Sequence, residues 1–260
     1  MTPGSVFKTV TLPAALEQLP DLFQRTFTCT GSTVVGGETI TCPFAHGEMD
    51  INDAFASSCN GVFAQLADEL GAETIAQYAK QAGLLDRYSV SGISTAAGSV
   101  ALEGATSAQL GWAGVGQYHD LVNPCALMIY MGAIANGGKA AVPTLIQKVE
   151  SPGLPSLPQF TRKTKTLISS DTADKVSEMM MNNVQAAYGT KRFPNMELGA
   201  KSGTAEHEGK TADAMFAGFC VDENCPLAFV VFVENGGSGS AVAAPIAAKV
   251  LQVCAAAINR

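Results

Sequence analysis

The sequence contains few charged residues. Only 15% of its 260 residues are charged, against about 25% in an average soluble protein, while 47% are apolar. Intrinsic disorder requires the opposite composition, so the chain is expected to fold around a sizeable core. The 23 acidic residues outnumber the 16 basic ones, and Lys and Arg form no cluster. This balance argues against nucleic acid or an anionic membrane surface as the main partner.

No uninterrupted apolar run reaches 18 residues. The longest candidate, 241–258, contains Pro245, Lys249 and Gln252. We therefore expect a packed helix there rather than a membrane span.

Motifs for metals and phosphates are also missing. His46, His119 and His207 are scattered, and neither HExxH nor CxxC occurs, so the sequence predicts no metal site and no cofactor. The stretch 203–211 has one residue too many for a phosphate-binding loop, and the strand-like sequence after it does not suit the helix that such a loop opens.

Seven cysteines are an odd number and too few for a disulfide scaffold. Cys29 and Cys42 flank a turn-rich stretch, and Cys220 and Cys225 flank another turn. Cross-strand disulfides in an oxidising compartment and buried free thiols are both compatible with this spacing.

Helical patterns come first along the chain, and strands come last. Helices are predicted at 5–18, 53–57, 58–70, 73–83, 124–136, 171–187 and 241–258, and strands at 197–206, 214–221 and 226–234. The expected N-caps are Asn52 or Asp53 for the second helix and Ser170 or Asp171 for the sixth. Residues 25–47 favour a loop or small hairpin, 86–123 are loop-rich, and 151–165 form a Pro-rich connector. The order predicts a single α+β domain, an antiparallel β-sheet covered by helices.

Ser5 and Lys8 form the first chemical pattern. Three residues apart on a helix, they lie on one face, so a neutral lysine can take the proton of the serine hydroxyl. The positive end of the helix dipole favours the negative charge that develops on the serine oxygen. Ser-x-x-Lys alone is equally typical of a helix cap followed by a surface lysine.

Two further patterns follow. Ser58-Cys59-Asn60 stands at a helix start, where Ser58 could be an ordinary N-cap or a hydroxyl relay, with Asn60 offering an amide to a substrate. Lys201-Ser202-Gly203-Thr204 lies on a strand predicted at the sheet edge, where an extended peptide can add by hydrogen bonding. In this interpretation Gly203 leaves room for a ligand backbone, and Lys201 binds a carboxylate and depresses the pKa of Lys8. The simpler interpretation is an edge strand protected by a lysine.

Together and in this order, the three patterns resemble the motif set of penicillin-binding proteins and class A β-lactamases. The chain resembles in particular the transpeptidase domain of class B penicillin-binding proteins. The resemblance extends over PGSVFK, the FTCTG…GG stretch (27–37), SCN, AIANGG (133–138), Tyr188-Gly189-Thr190, AKSGTAE (200–206), FAGF (216–219) and the last Ala-rich helix. It implies a helix-covered antiparallel sheet with an all-helical subdomain, spanning 1–260.

The resemblance also implies the role of each motif residue. Ser5 corresponds to the acylated nucleophile, Lys8 to its general base and Ser58 to the relay. The backbone N–H groups of Ser5 and Thr204 correspond to the oxyanion hole. The residues that correspond to substrate-binding groups are Asn60, Lys201, Ser202, Gly203 and Thr204.

The implied activity is peptidoglycan D,D-transpeptidation through a serine acyl-enzyme, without a cofactor. The expected partners are the D-Ala-D-Ala stem peptide, β-lactam antibiotics and, in the full-length protein, a membrane glycosyltransferase. The expected location is the extracytoplasmic face of the cell membrane. Alternatives are a D,D-carboxypeptidase, a β-lactamase and a non-enzymatic β-lactam sensor. Glu178 is followed at the fourth place by Asn182, so the E-x-x-x-N pattern of a class A lactamase does not exclude a lactamase, whereas Asn60 argues against a sensor.

Two departures from the family pattern matter. Ser202 replaces the commoner Thr, and Tyr118 follows Gly116-Gln117 where another Gly is frequent. Relatives also carry a helix and two strands of the same sheet before the nucleophile, which here is residue 5. We therefore expect a domain incomplete at its N-terminus, with an exposed sheet edge beside 226–234, low stability and weak activity in isolation.

Overall fold

The computed structural model describes residues 1–146, 148–150, 157–158, 160–193, 196–222 and 226–258. Eight α-helices form within these ranges: Lys8–Gln18 (α1), Ile51–Ala56 (α2), Asn60–Leu70 (α3), Ala72–Gln81 (α4), Ser107–Gly114 (α5), Pro124–Ala135 (α6), Ser170–Asn183 (α7) and Ala244–Ile258 (α8). Eleven strands accompany them: Phe27–Cys29 (β1), Ser32–Val35 (β2), Glu38–Thr41 (β3), Gly47–Met49 (β4), Ser89–Val90 (β5), Ile93–Ser94 (β6), Lys148–Val149 (β7), Leu157–Pro158 (β8), Leu198–Ala205 (β9), Asp213–Cys220 (β10) and Leu227–Val233 (β11).

A three-stranded antiparallel sheet organises the C-terminal half. Its order is β9–β10–β11, so β10 is central and β9 lies at an edge, as the sequence predicts. Every residue of β10 is buried. Met215 and Phe219 pack in the cluster that contains α6, whereas Ala214 and Phe216 pack in the cluster that contains α8. Alternate side chains of one strand thus bind the sheet to helical layers on both faces.

The helical part packs most tightly where α5 crosses α3. A Cβ atom on Gly114 would lie 2.2 Å from the Cβ of Ala67, so this approach requires a glycine. This contact helps to position the site. Asn60 is the first residue of α3, Gln117 follows α5, and both residues line the cleft described below.

The three strands, the helix 124–136 and the last helix are confirmed, with small shifts at their ends. Two N-caps are wrong. The carboxylate of Asp50 accepts from the N–H of Asp53, so α2 begins before the predicted caps, and the hydroxyl of Ser169 caps α7. In both cases the cap is the residue that keeps an extended backbone and still reaches the first turn.

Helix α5 is absent from the prediction, which treats 86–123 as loop. Its sequence, SAQLGWAG, contains two glycines that lower helix propensity, and packing on α3 outweighs that cost. A capping box between Thr106 and Gln109 fixes its start.

One hairpin, β2 paired with β3, lies within residues 25–47. It is flanked by β1 and β4, which pair with each other and extend the segment to Met49. Cys29 and Cys42 are thiols in the structure. They are not cross-strand partners, since Cys29 is opposite Gly47. Cys225, which the sequence pairs with Cys220, and the connector residues 151–156 and 159 lie outside the described residues.

Within the described residues, the helical segment Gly239–Ile258 is long and apolar enough to cross a membrane by length and composition. Ala244, Ala247 and Leu251 on one face are buried in the cluster that covers the sheet. The segment packs as the sequence predicts, while Val250 and Val253 on its other face are exposed.

Candidate active site

Ser5 lies on a 3₁₀ turn, Gly4–Phe7, that leads into α1. Lys8 is the first residue of α1 and is completely buried, so the two side chains are one turn apart. The N–H of Gly4 donates to the carbonyl of Gly116 at 3.0 Å and anchors the turn. The first amides of a helix have no acceptor within it, which leaves the N–H of Ser5 available to a ligand.

Ser58 is not the N-cap that its position suggests. Cys59 occupies that place before α3, and Ser58 adopts φ +57, the left-handed region that non-glycine residues rarely enter. Ser58 lies on the short connection between α2 and α3 and lines the cleft described below. Residues held in such backbone geometry cluster at functional sites.

Lys201 lies on β9 and is also completely buried. The N–H of Ser202 points away from β10, because it donates to the Tyr188 hydroxyl at 2.8 Å. Strand periodicity gives Thr204 the same orientation, with its N–H and C=O at the open edge. The carbonyl of Thr204 accepts from Gln117 Nε2 at 2.8 Å.

The three motifs meet at one hydroxyl. Lys201 Nζ lies 2.8 Å from Ser58 Oγ, and Lys8 Nζ lies 3.1 Å from the same atom. Lys8 also donates to the Ser58 carbonyl at 2.6 Å and to Asn60 Oδ1 at 2.8 Å. Stretches up to 193 residues apart along the chain thus converge, which is the arrangement that the sequence motifs predict.

Asn60 is held more firmly than expected. Its Oδ1 accepts from Lys8, and its Nδ2 donates to the carbonyl of Thr41 at 2.9 Å. One amide hydrogen and one lone pair remain for a ligand.

Burial dominates the electrostatics of both lysines. Desolvation lowers the pKa of Lys8 to about 7, although the nearby thiols of Cys59 and Cys42 oppose the shift. The pKa of Lys201 also lies well below its ordinary value, first because of burial and then because of the charge on Lys8. The sequence predicts that Lys201 lowers the pKa of Lys8. In the structure, the charge on Lys8 instead lowers the pKa of Lys201. The outcome is a lysine that can be neutral near neutral pH.

Gly203 serves a different purpose from the one predicted. A Cβ atom there would lie 2.7 Å from the carbonyl oxygen of Pro3 and 3.0 Å from a methyl group of Val6. The missing side chain therefore allows the turn that carries Ser5 to pack on β9. The expectation of space for a ligand backbone at this atom is wrong.

The sequence motifs miss several residues around the site. Tyr188 orients Ser202 through two hydrogen bonds. The Tyr188 hydroxyl accepts from the N–H of Ser202 at 2.8 Å and donates to Ser202 Oγ at 3.1 Å. Gln117 joins the loop after α5 to Thr204. Neither residue has a motif that reveals its role before the fold is known.

A cleft of about 380 Å³ opens in front of these groups. Its described lining includes Ser5, Ser58, Asn60, Ser202 and Thr204, together with Trp112, Gln117 and Glu206. A larger cavity of about 460 Å³ between α6 and β11 is lined mainly by apolar groups and lacks this chemistry.

Residues 1–252 match the family described as the penicillin binding protein transpeptidase domain. The chain belongs to this family. The resemblance inferred from the motifs is thereby confirmed, as is the helix-covered antiparallel sheet.

Among relatives, the peptidoglycan D,D-transpeptidase PbpA of Mycobacterium tuberculosis is 29% identical over 268 residues. That alignment covers 96% of this chain and 54% of the relative. Stage V sporulation protein D of Bacillus subtilis is 27% identical, with 96% and 41% covered. The chain therefore spans about half the length of the curated relatives it matches, PbpA first among them.

Solved structures of penicillin-binding proteins have the same fold. Penicillin-binding protein A from M. tuberculosis, as a ceftriaxone acyl-enzyme complex, superposes with a TM-score of 0.89 and 26% identity, covering 98% of this chain and 60% of that one. The D,D-transpeptidase domain of a peptidoglycan glycosyltransferase from Eggerthella lenta gives 0.84 and 25%, covering 97% and 66%.

Proposed function

We propose that this chain is the acyl-transfer domain of a peptidoglycan D,D-transpeptidase, with Ser5 as the nucleophile. The observation that carries the proposal is the convergence of Lys8 and Lys201 on the hydroxyl of Ser58, beside Ser5 in one cleft. The membership in the transpeptidase family and the acyl-enzyme complex of a structural neighbour support it.

Acylation begins at the hydroxyl of Ser5. Neutral Lys8 takes its proton while the oxygen attacks the carbonyl carbon of the penultimate D-Ala of a stem peptide. The N–H groups of Ser5 and Thr204 stabilise the resulting oxyanion, and losing one such donor typically costs about 2.7–4 kcal/mol of barrier. The C–N bond then breaks, and the departing D-Ala nitrogen receives a proton through Ser58, which contacts both lysines.

Transfer reverses these steps with a new amine. An amino group of a second stem peptide attacks the Ser5 ester, its proton passes to Lys8, and the Ser5 hydroxyl is restored as the new amide forms. Lys201, Ser202 and Thr204 hold the terminal carboxylate at the edge of β9, and Asn60 holds a peptide amide. β-Lactams acylate Ser5 by the same first step.

This assignment places the chain at the extracytoplasmic face of the cell membrane, where peptidoglycan is assembled. The full-length protein would work beside a membrane glycosyltransferase that supplies uncross-linked strands. The substrate-binding residues of this chain are Asn60, Lys201, Ser202 and Thr204, and Gly203 lets the turn that carries Ser5 pack on β9.

The decisive assay measures product distribution. A peptide ending in D-Ala-D-Ala is incubated with the protein, with and without an amine acceptor. We expect an acceptor-linked product that increases with acceptor concentration and disappears in Ser5→Ala, while Ser94→Ala, a change on the exposed β6, retains it. Release of D-Ala that never depends on the acceptor would identify a carboxypeptidase. Activity that survives in Ser5→Ala would refute the mechanism.

A further inference from the structure

Four potential metal ligands gather at the Asn60 side of the cleft, where Cys42 and His46 also line it. They are Cys29 at the end of β1, Cys42 just after β3, His46 just before β4 and Cys59 just before α3. The three sulfur atoms and one ring nitrogen of this group all lie within 4.8 Å of one another. The acyl-transfer mechanism uses none of them.

The distances suit a tetrahedral metal. Cys42 Sγ lies 3.8 Å from Cys59 Sγ, and Cys29 Sγ lies 3.3 Å from His46 Nδ1. A tetrahedral Zn²⁺ with Zn–S near 2.3 Å and Zn–N near 2.0 Å separates two sulfurs by about 3.8 Å and sulfur from nitrogen by about 3.5 Å. A disulfide would instead bring two sulfurs to about 2.05 Å.

The surroundings also suit a closed site. Cys29 and Cys59 are buried, with 4% and 0% exposure. The backbone N–H of Gly61 donates to Cys42 Sγ at 3.5 Å, the kind of contact that orients a metal-bound thiolate. The His46 ring packs on Phe44, and its buried Nε2 has no hydrogen-bond partner among the described residues, so the ring's polar contact within that part of the chain is with Cys29.

We propose that Cys29, Cys42, His46 and Cys59 bind one Zn²⁺ ion in a structural site. Three thiolates and one imidazole are a donor set that selects Zn²⁺ over the oxygen-preferring Mg²⁺ and Ca²⁺. Binding displaces the protons of those thiols that are still protonated and requires a neutral His46. The sequence patterns predict no metal site because these four residues are 13, 4 and 13 positions apart and form none of the compact motifs.

The site would act on the cleft through position alone. Cys59 lies between Ser58 and Asn60, and Asn60 already bonds to Thr41, the residue before Cys42. A metal would therefore join the segment 41–46 and the end of β1 to the backbone that presents Ser58. These four ligands are positioning residues and do not contact the reacting atoms.

Metal content tests the proposal directly. The wild-type chain is purified with a phosphine reductant, equilibrated with Zn²⁺ and passed through a desalting column before elemental analysis. We expect one zinc per chain in the wild type and in Cys254→Ser, which removes a thiol from α8 far from the cluster in sequence. Cys29→Ser should retain less than about one tenth as much, since loss of a thiolate opens a four-coordinate site.

A second measurement does not depend on whether a variant folds. Co²⁺ replaces Zn²⁺ in the wild-type chain, and the absorption spectrum is recorded. We expect the intense visible bands of tetrahedral Co²⁺ together with thiolate-to-cobalt charge transfer in the near ultraviolet. An octahedral spectrum, or zinc well below one per chain, would overturn the proposal.

Peptide mapping without reductant tests the alternative that two of these cysteines form a disulfide. A Cys42–Cys59 disulfide in protein isolated from its native compartment would also overturn the zinc site. None of these readouts requires acylation, so the zinc site and the proposed function can fail separately. If both hold, removing zinc should slow β-lactam acylation while the adduct remains on Ser5.

Discussion

At the scale of single residues, the Ser58 hydroxyl joins the two halves of the site. It contacts Lys8 from α1 and Lys201 from β9. Burial lowers the pKa of both ammonium groups, and the charge on Lys8 lowers that of Lys201 further. Phe63 and Phe55 lie 5.4 and 5.9 Å from these groups and stabilise whichever one is charged. These ring faces therefore offset part of the cost of burying a positive charge at this hydroxyl.

The pKa of Lys8 sets the first prediction. The rate constant for acylation by a β-lactam should rise about tenfold per pH unit below pH 7 and level off above it, because only neutral Lys8 accepts the serine proton. Stopped-flow measurements with a chromogenic β-lactam provide the profile. Lys8→Arg keeps the charge without an accessible neutral form and should lose about 10²–10⁴-fold. A flat profile in the wild type would show that Lys8 is not the base.

The second prediction concerns Ser58. Ser58→Ala removes the hydroxyl that both lysines contact, so acylation should slow by about 10²-fold or more. The neighbouring Ser57 is the matched control, because its exposed hydroxyl bonds only to the carbonyl of Asp53 among the described contacts. Ser57→Ala should leave the rate nearly unchanged. Equal rates for the two variants would remove Ser58 from the proton path.

Motifs in the sequence point to the proposed reacting groups but not to the geometry around them. Ser5, Lys8 and Lys201 follow from spacing, since each belongs to a short local pattern. The left-handed backbone of Ser58 and the bridge from Gln117 to Thr204 depend on long-range packing that spacing does not encode. The four residues proposed to bind zinc likewise come together only through the fold.

At the scale of elements, the junction between the Ser5 turn and β9 positions the nucleophile. The third prediction is that Gly203→Ala destabilises the fold by about 1–3 kcal/mol, since its Cβ atom would overlap the carbonyl oxygen of Pro3. The displaced turn should also slow acylation, because an error of about 1 Å can cost about 10²-fold in rate.

Gly132 in α6 offers the matched control. A Cβ atom there meets Ala140 and Ala228 at 3.4 and 3.5 Å, which is ordinary contact. Gly132→Ala should therefore match or exceed the wild type in urea unfolding, with unchanged acylation. If the two variants unfold alike, the packing role assigned to Gly203 is wrong.

Elements with a strong local pattern were predictable, and elements made by packing were not. The strands β10 and β11 show nearly continuous apolar sequence between turns, and α6 has Pro124 at its start and glycines after its end. Helix α5 lacks such a pattern, because its two glycines serve contact with α3 rather than helix propensity.

At the scale of the whole molecule, one face of α8 leaves an apolar stripe in solvent. Ile246, Val250, Val253 and Ile258 are 40–69% exposed. Beside it, β11 pairs with β10 alone within the described sheet. Such surfaces promote self-association, which the net charge of −7 only partly opposes.

The fourth prediction follows from this stripe. Val253→Lys should lower the apparent mass in light scattering at high protein concentration, with stability changed by less than about 0.5 kcal/mol because the side chain is exposed. Gln252→Lys adds the same charge to the neighbouring exposed position and should have a smaller effect. If both lysines act equally, net charge rather than the apolar stripe controls association.

The most direct measurement of the whole account is the location of a β-lactam adduct. The chain is incubated with a fluorescent penicillin, digested and mapped by tandem mass spectrometry. We expect a single ester on Ser5, absent from Ser5→Ala and formed much more slowly in Lys8→Arg. An adduct on Ser58 or on any other residue, or labelling that persists in Ser5→Ala, would contradict the assignment of the nucleophile.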